Sequence, residues 1–425
     1  MALEHARLRR ELHMHAETGW TEFWTTAFLA KELKALGYEV LLGERAVNPA
    51  EAMGRPSEGE IEEAVRRAIS WGADPSLIEE MNGYTGAVAV LRTGRPGPTL
   101  ALRFDVDAVE VPESQDPNHR PTREGFASLN PKASHACGHD AHAAMGILVA
   151  RELAEARERL CGTVKILFQP AEEGVRGGKA MAASGVLDDV DYLLGAHVGL
   201  GLKLGQVALS LKGLLCTTKM DVEYRGKAAH AGAEPNEGRN ALLAACTCAL
   251  NLHAIAPHRD GATRVNVGTL QAGTGRNVVP DRALMRIEIR GEKEHINAYV
   301  EERAKSVIEH SAAMYGVSWS IKLVGSSVDA ISDPELVELV AEVAQEVEGV
   351  EEVLREHPMT GSDDMAWLMR RVQGRGGKAI YLGVGADQTA GHHNDAFDLN
   401  EDCILLGRDL LVEAAKRICA AHGRR

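Results

Sequence analysis

No stretch of this 425-residue chain reaches the roughly 18 consecutive apolar residues that a membrane-spanning helix needs; the richest, 241–256, is interrupted by Thr247, Asn251 and His253. Positive charge is in deficit as well. Against 61 Asp and Glu there are 47 Lys and Arg, and the net charge of -14 argues against nucleic acid or an anionic membrane as a partner. A disulfide framework is missing: the seven cysteines (137, 161, 216, 246, 248, 403, 419) are odd in number and irregularly spaced, as reduced thiols are. Residues 1–10 are charged and lack the apolar run of a signal peptide, so a soluble cytoplasmic protein is expected. The run Gly174-Val-Arg-Gly-Gly-Lys179-Ala180 lacks the spacing of a phosphate loop and the Ser or Thr after its lysine, which removes nucleotide binding.

What the chain does have is enough apolar residue, 45%, for a sizeable core, and a length beyond the point at which one core stops growing. Two domains are therefore expected. Residues 6–36 read as helix, broken near Thr18-Gly19, and 46–82 as a polar segment with a possible capping box from Ser57 and Glu60. Strands are expected at 86–91 and 99–104, joined as a hairpin or tight connection through Thr93–Pro98, and again at 163–169 and 191–195. A helix over 141–157 lies between them. From about Gly213 to Gly325 the order is strand, helix, strand, strand, helix, strand, that of a ferredoxin-like module. Helices at 334–348 and 363–371, a strand at 379–384, a loop over 385–398 and a helix over 401–421 complete the chain. The fold class is α/β: a mixed-sheet catalytic domain with flanking helices over 1–212 and 326–425, and an inserted α+β domain over 213–325.

The stretch Ser134-His-Ala-Cys137-Gly-His139-Asp140-Ala-His142 gathers a thiol, three imidazoles and a carboxylate within nine residues. Soft and borderline divalent metals bind that donor set. Any one of these residues is more often an ordinary buried side chain than a ligand, so the weight comes from elsewhere in the chain. Three expected strands end in potential donors: Asp105 and Asp107, Glu172 and Glu173, and His197. The collected candidates are Cys137, His139, Glu173, His197 and one of His392 or His393, a set that suits Zn2+ or Mn2+ rather than Mg2+ or Ca2+. Of the two adjacent glutamates, one can ligate while the other moves a proton. Asp105 and Asp140 are candidates to fix imidazole tautomers, whereas Asp107 reads equally as structural. A cysteine hydrolase built on Cys137 and His139 is the rival chemistry, but it leaves Glu172, Glu173 and His197 without a role.

These motifs resemble the cocatalytic metallopeptidase and amidohydrolase family that includes hippurate hydrolases, auxin-conjugate hydrolases and carboxypeptidase G-type enzymes. The similarity is carried by Arg103-Phe-Asp105-Val-Asp107, His135 to His142, Gln169-Pro-Ala-Glu172-Glu173-Gly174, Ala196-His197, His230-Ala-Gly232, Asn277-Val-Val-Pro280, Gly361-Ser-Asp-Asp364 and His393-Asn-Asp-Ala-Phe397. It covers nearly the whole chain. Within the family, the segment 46–82, the loop 115–128 and Ala254 to His258 are most similar to members that act on p-aminobenzoyl-glutamate.

The resemblance implies two divalent ions held by Cys137, His139, Glu173, His197 and His393, with Glu172 as the base. It also implies that the inserted module dimerises, that His230 reaches a partner's site to stabilise an oxyanion, and that Asn277 and Arg290 bind the carboxylate of the amino-acid part. The expected reaction is cleavage of p-aminobenzoyl-glutamate to p-aminobenzoate and glutamate. A broader N-acyl-amino-acid hydrolase is the alternative, and a non-catalytic or partner-dependent subunit is the reading from another class. Either a homodimer or a heteromer with a homologous second subunit is expected.

Overall fold

The computed structural model describes residues 3–359 and 361–420. In chain order the elements begin with α1 (Glu4–Met14), α2 (Phe23–Ala35), β1 (Glu39–Leu42), α3 (Glu58–Ser70), α4 (Pro75–Met81), β2 (Ala87–Arg92) and β3 (Thr99–Asp105). They continue with α5 (Arg120–Glu124), α6 (His139–Glu155), β4 (Thr163–Gln169), α7 (Gly178–Ala182), β5 (Tyr192–Val198), β6 (Gln206–Ala208) and β7 (Leu211–Lys212). Next come β8 (Cys216–Arg225), α8 (Ala241–His253), β9 (Thr263–Ala272), β10 (Arg282–Gly291), α9 (Glu294–Tyr315) and β11 (Ser318–Ser327). The chain ends with α10 (Pro334–Glu346), β12 (Glu352–Leu354), β13 (His357–Pro358), α11 (Met365–Gln373), β14 (Lys378–Val384) and α12 (Cys403–Ile418); Ala421, the expected end of that last helix, lies outside the described residues. No helix among the described residues is long and apolar enough to cross a membrane.

The chain divides into two compact units, 1–212 with 330–359 and 364–425, and 213–329 with 360–363. In the first, an eight-stranded mixed sheet runs in the order β1-β2-β4-β3-β5-β14-β6-β12. Its central strands are buried along nearly their whole length, as their unbroken apolar sequences require when helices cover both faces. Leu102, Phe104, Ile147, Ile166, Phe168, Ile380 and Leu410 belong to that core. Ser57 and Glu60 close the expected capping box at the start of α3, each side chain meeting the other residue's backbone N–H.

One expectation about the sheet fails. β2 and β3 do not form a hairpin, because β4 lies between them, antiparallel to β2 and parallel to β3. Both flanking strands are near-continuous apolar runs with no alternating face, so they need neighbours on both sides rather than each other. The second unit is the expected βαββαβ arrangement, with an antiparallel sheet in the order β11-β8-β10-β9. Its β8 alternates buried and partly exposed residues, as a strand with helices on one face must, and Val222, Tyr224, Ile287, Ile289, Val300 and Ile308 fill the space beneath α8 and α9.

Candidate metal centre

Sharp backbone turns at strand ends place the donors of the first unit. Gly138, between Cys137 and His139, takes φ +84°, and a Cβ there would meet Val198 Cγ2 at 2.9 Å. Only glycine fits that turn without strain, and α6 begins at His139 directly after it. At the end of β4, Ala171 and Val175 adopt φ of 52° and 58°, and in the loop after β14 His393 adopts 63°. Non-glycine residues held in the left-handed region cost about 1–3 kcal/mol each and gather at functional sites.

The turn carrying Glu172 and Glu173 hangs from three buried carboxylates. Asp107 Oδ1 and Oδ2 accept from the backbone N–H groups of Glu172 (3.0 Å) and Glu173 (2.9 Å). Glu22 accepts from the N–H of Ala171 at 2.7 Å, and Asp364 from those of Gly177 at 3.1 Å and Gly178 at 2.6 Å. The Asp107 carbonyl also accepts from His139 Nδ1 at 2.9 Å. That bond leaves the His139 lone pair on Nε2, which is buried without a hydrogen-bond partner, as a ligand atom lacking its ion would be. His197 repeats the arrangement: its Nδ1 donates to the Val198 carbonyl at 2.8 Å, and its Nε2 lies 3.7 Å from Cys137 Sγ.

Donor atoms within 4.8 Å of one another form the groups Cys137–His139–Glu173 and Cys137–His197–His392, with the thiol common to both. His393 Nε2 is 3.2 Å from Glu173 Oε1, and its ring also bonds the Cys137 thiol. His392 differs from its neighbour. Its Nε2 accepts from the Leu200 N–H at 3.1 Å, so the neutral ring carries its proton on Nδ1, which faces Cys137 Sγ at 3.5 Å as a donor. His142 is satisfied on both sides, by Asp105 and by the Val198 N–H at 2.9 Å.

Burial lowers the pKa of His197 well below the usual imidazole value, aided by the neighbouring His142 and His392, and burial lowers that of His392 to about 4. His393 is raised to about 10 by its bond to Cys137 and its pairing with Glu173. Burial and the Glu173 charge push the Cys137 thiol up, the reverse of what a nucleophilic cysteine needs. Thiol, imidazoles and carboxylate converging on one buried point fit a borderline divalent cation.

Asp140, expected to orient a ligand imidazole, does something else. Its Oδ2 accepts from Arg9 Nε and from His13 Nδ1, each at 2.7 Å, and Arg9 Nη1 donates to Asp398 at 2.8 Å. The fully buried Arg9 thereby ties the start of α6 to the loop that bears His392 and His393. Asp105 bonds Arg103 at 2.7 Å and His142, so it supports the centre from behind. Glu172 Oε2 stands 4.0 Å from His139 Nε2 and is nearly buried. His135 is buried with neither ring nitrogen hydrogen-bonded.

In the second unit, His230 is exposed and its Nδ1 accepts from the N–H groups of Gly232 (3.2 Å) and Ala233 (3.0 Å), which leaves a proton on Nε2 facing outward. Asn277 sits on the adjoining segment, its carbonyl accepting from the Ala231 N–H at 2.9 Å. Arg290 is at the far end of β10, paired with Glu288 at 3.0 Å. Eight residues of strand separate Arg282 from Arg290, roughly 26 Å, so Asn277 and Arg290 of one chain do not meet at one carboxylate.

The profile described as Peptidase family M20/M25/M40 matches residues 101–417. The chain belongs to this family. It is 48% identical over 414 residues to the indole-3-acetyl-aspartic acid hydrolase of Enterobacter agglomerans, covering 97% of this chain and 95% of that one. It is 45% identical over 409 residues to one of the p-aminobenzoyl-glutamate hydrolase subunits of Escherichia coli K12, covering 96% and 94%. Among solved structures, an aminobenzoyl-glutamate utilization protein from Klebsiella pneumoniae superposes with a TM-score of 0.85 at 39% identity, covering 99% and 97%. As a member of this family with such relatives, the chain is a metal-dependent hydrolase of carbon–nitrogen amide bonds.

Three supporting residues are not among the candidates that sequence offers for this role. Glu22 lies on a segment expected only to pack, Asp107 reads equally as structural, and Asp364 stands out only as part of a motif. An Asp-x-Asp at a strand end is the one available signal for Asp107. Nothing local marks Glu22, whose bonded partner Ala171 is 149 residues away.

Proposed function

We propose that this protein hydrolyses the amide between an aromatic acyl group and an acidic amino acid, with p-aminobenzoyl-glutamate as substrate. The observation that carries the reading is the shared Cys137 thiol between two donor groups, with His139 and His197 both fixed as Nε2 donors and Glu172 beside the ligand Glu173. Cys137, His139, Glu173, His197 and His393 would hold two divalent ions, Zn2+ or Mn2+ by donor type, with His392 donating to the thiolate. Such ions acidify a bound water and offset charge growing on the scissile carbonyl.

The remaining work falls to the chain. Glu172 takes the proton of the attacking water and returns it to the leaving nitrogen. His230, with its outward Nε2–H, donates to the oxyanion. Asn277 and Arg290 each have the chemistry to bind a carboxylate, and their separation along β10 supports a site completed by two subunits. Six of the ten exposed large apolar residues, Leu243, Leu250, Leu270, Met314, Trp319 and Leu323, lie in the second unit, which supports dimerisation there through a second copy or a homologous subunit.

The test is turnover by the metal-analysed protein on p-aminobenzoyl-glutamate, indole-3-acetyl-aspartate and hippurate, with and without a homologous second subunit. Preference for p-aminobenzoyl-glutamate is expected. Preference for indole-3-acetyl-aspartate is the second reading, favoured by the 48% identity to a hydrolase of that name, and equal turnover of hippurate would point to a broad N-acyl hydrolase. Glu172→Ala should lower kcat by about 100-fold or more with metal content unchanged. Retention of more than a few per cent of turnover would remove Glu172 as the base.

A further inference from the structure

In the first unit, α7 and α11 border a cavity of ≈ 320 Å3, the size of a site for one substituted ring. Its lining includes Trp367, Lys179, Arg370, Arg371 and Arg375, with the small residues Ala183 and Gly374 leaving the space open. Four cations and no carboxylate line it, in a chain whose net charge is -14. Two carboxylates outside the lining hold three of those cations in place: Glu51 is 2.8 Å from Lys179 Nζ, and Asp188 accepts from Arg371 Nε at 2.8 Å and from Arg375 Nη2 at 2.7 Å. Lys179 Nζ stands 5.3 Å from the centre of the Trp367 ring, so the aromatic face already attracts a cation.

We propose that this cavity is a second binding site and that it takes a small planar aromatic carboxylate. The indole face of Trp367 offers a stacking surface for a flat ring, and guanidinium forks match a carboxylate in two-pronged geometry. A bare inorganic anion would use the arginines and leave the tryptophan face unused. A neutral ring would leave the cations unanswered. The lining alone selects this ligand class; the aromatic acid released by the proposed reaction is one member of it. Both walls also lead to the metal centre. α7 follows the Glu172–Glu173 turn directly, and Asp364, which precedes α11, accepts from the N–H groups of Gly177 and Gly178 at the start of α7.

The experiment is calorimetric titration of the metal-loaded, full-length protein with benzoate, with cyclohexanecarboxylate and inorganic phosphate as companions. Two variants accompany the wild type: Trp367→Ala, which removes the stacking face, and Ala183→Phe, which fills the cavity from an exposed position. Saturable benzoate binding is expected, weakened roughly tenfold by either variant, as loss of one ring contact predicts, and stronger than binding of either companion. Thermal unfolding and the KM for substrate should be unchanged in Ala183→Phe, so the result survives if Trp367→Ala fails to fold. Equal benzoate affinity in wild type and Ala183→Phe would overturn the proposal, as would phosphate binding at least as tightly as benzoate. Because binding is read without turnover, failure here and failure of the proposed reaction are distinguishable.

Discussion

Gly138 shows how much of the centre depends on one backbone angle. The residue must turn the chain at φ +84° between two donors while its α-carbon packs against Val198 and Leu399. An alanine in its place pays a left-handed penalty of about 1–2 kcal/mol and presses its methyl against Val198. Gly138→Ala should therefore lower unfolding free energy by about 2 kcal/mol in urea titrations and weaken metal retention against a chelator. A variant that loses stability but holds metal as tightly as the wild type would show that the turn is needed for folding alone. The histidines beside it are the most legible part of the site, because nine residues of sequence contain them. Their division of labour is not legible: whether a ring ligates or supports is decided by what its other nitrogen meets, as the Leu200 N–H decides it for His392.

At the scale of elements, the strands that end in donors can be read because each is a short apolar run with polar residues at its exit. Their pairing cannot. β2 lies beside a strand that follows it by some 70 residues, and sequence proximity suggests the wrong neighbour. The same distance hides the supports of the Glu172–Glu173 turn, which come from α2's approach, from β3's exit and from the start of α11. Asp107→Asn keeps one acceptor and replaces the other by a donor facing an N–H group. Metal affinity should fall about 10- to 100-fold, the usual cost of losing a group that holds ligands in place, and competition with a chelating dye measures it. The far-ultraviolet circular dichroism should stay that of the wild type.

For the whole molecule, buried ionisable groups set the pH range of stability. His13 is opposed by burial but raised to about 9 by its bonds to Asp140 and Glu113. A folded pKa above the unfolded value of about 6.5 gives stabilisation that is complete below that value and lost as pH rises through 9, on the order of 3 kcal/mol. Glu17, raised to about 7 by burial, acts in the same direction from about 4.5 upward. Asp398 acts oppositely: burial is outweighed by Arg9 and Arg120, its pKa falls to about 2, and its contribution is lost in acid. Urea midpoints should thus decline from pH 6.5 to 9, and His13→Gln should flatten that decline. Assembly is testable at the same scale. If Glu172 and His230 of different subunits form one site, mixing Glu172→Ala with His230→Ala chains should restore activity to about a quarter of the wild-type level, since symmetry leaves one complete site in each mixed pair. No recovery after verified subunit exchange would place both residues in one chain.

Asp107 serves the centre twice, through its carboxylate beneath the glutamates and through its main-chain carbonyl behind His139. Every amino acid brings a carbonyl, so sequence drift at this position can erase the first role but not the second. Descendants that lose the carboxylate would keep a correctly aimed imidazole beside a loosened pair of glutamates. The position thereby offers a graded route from a tight metal centre to a weaker one without an intermediate in which the whole site collapses.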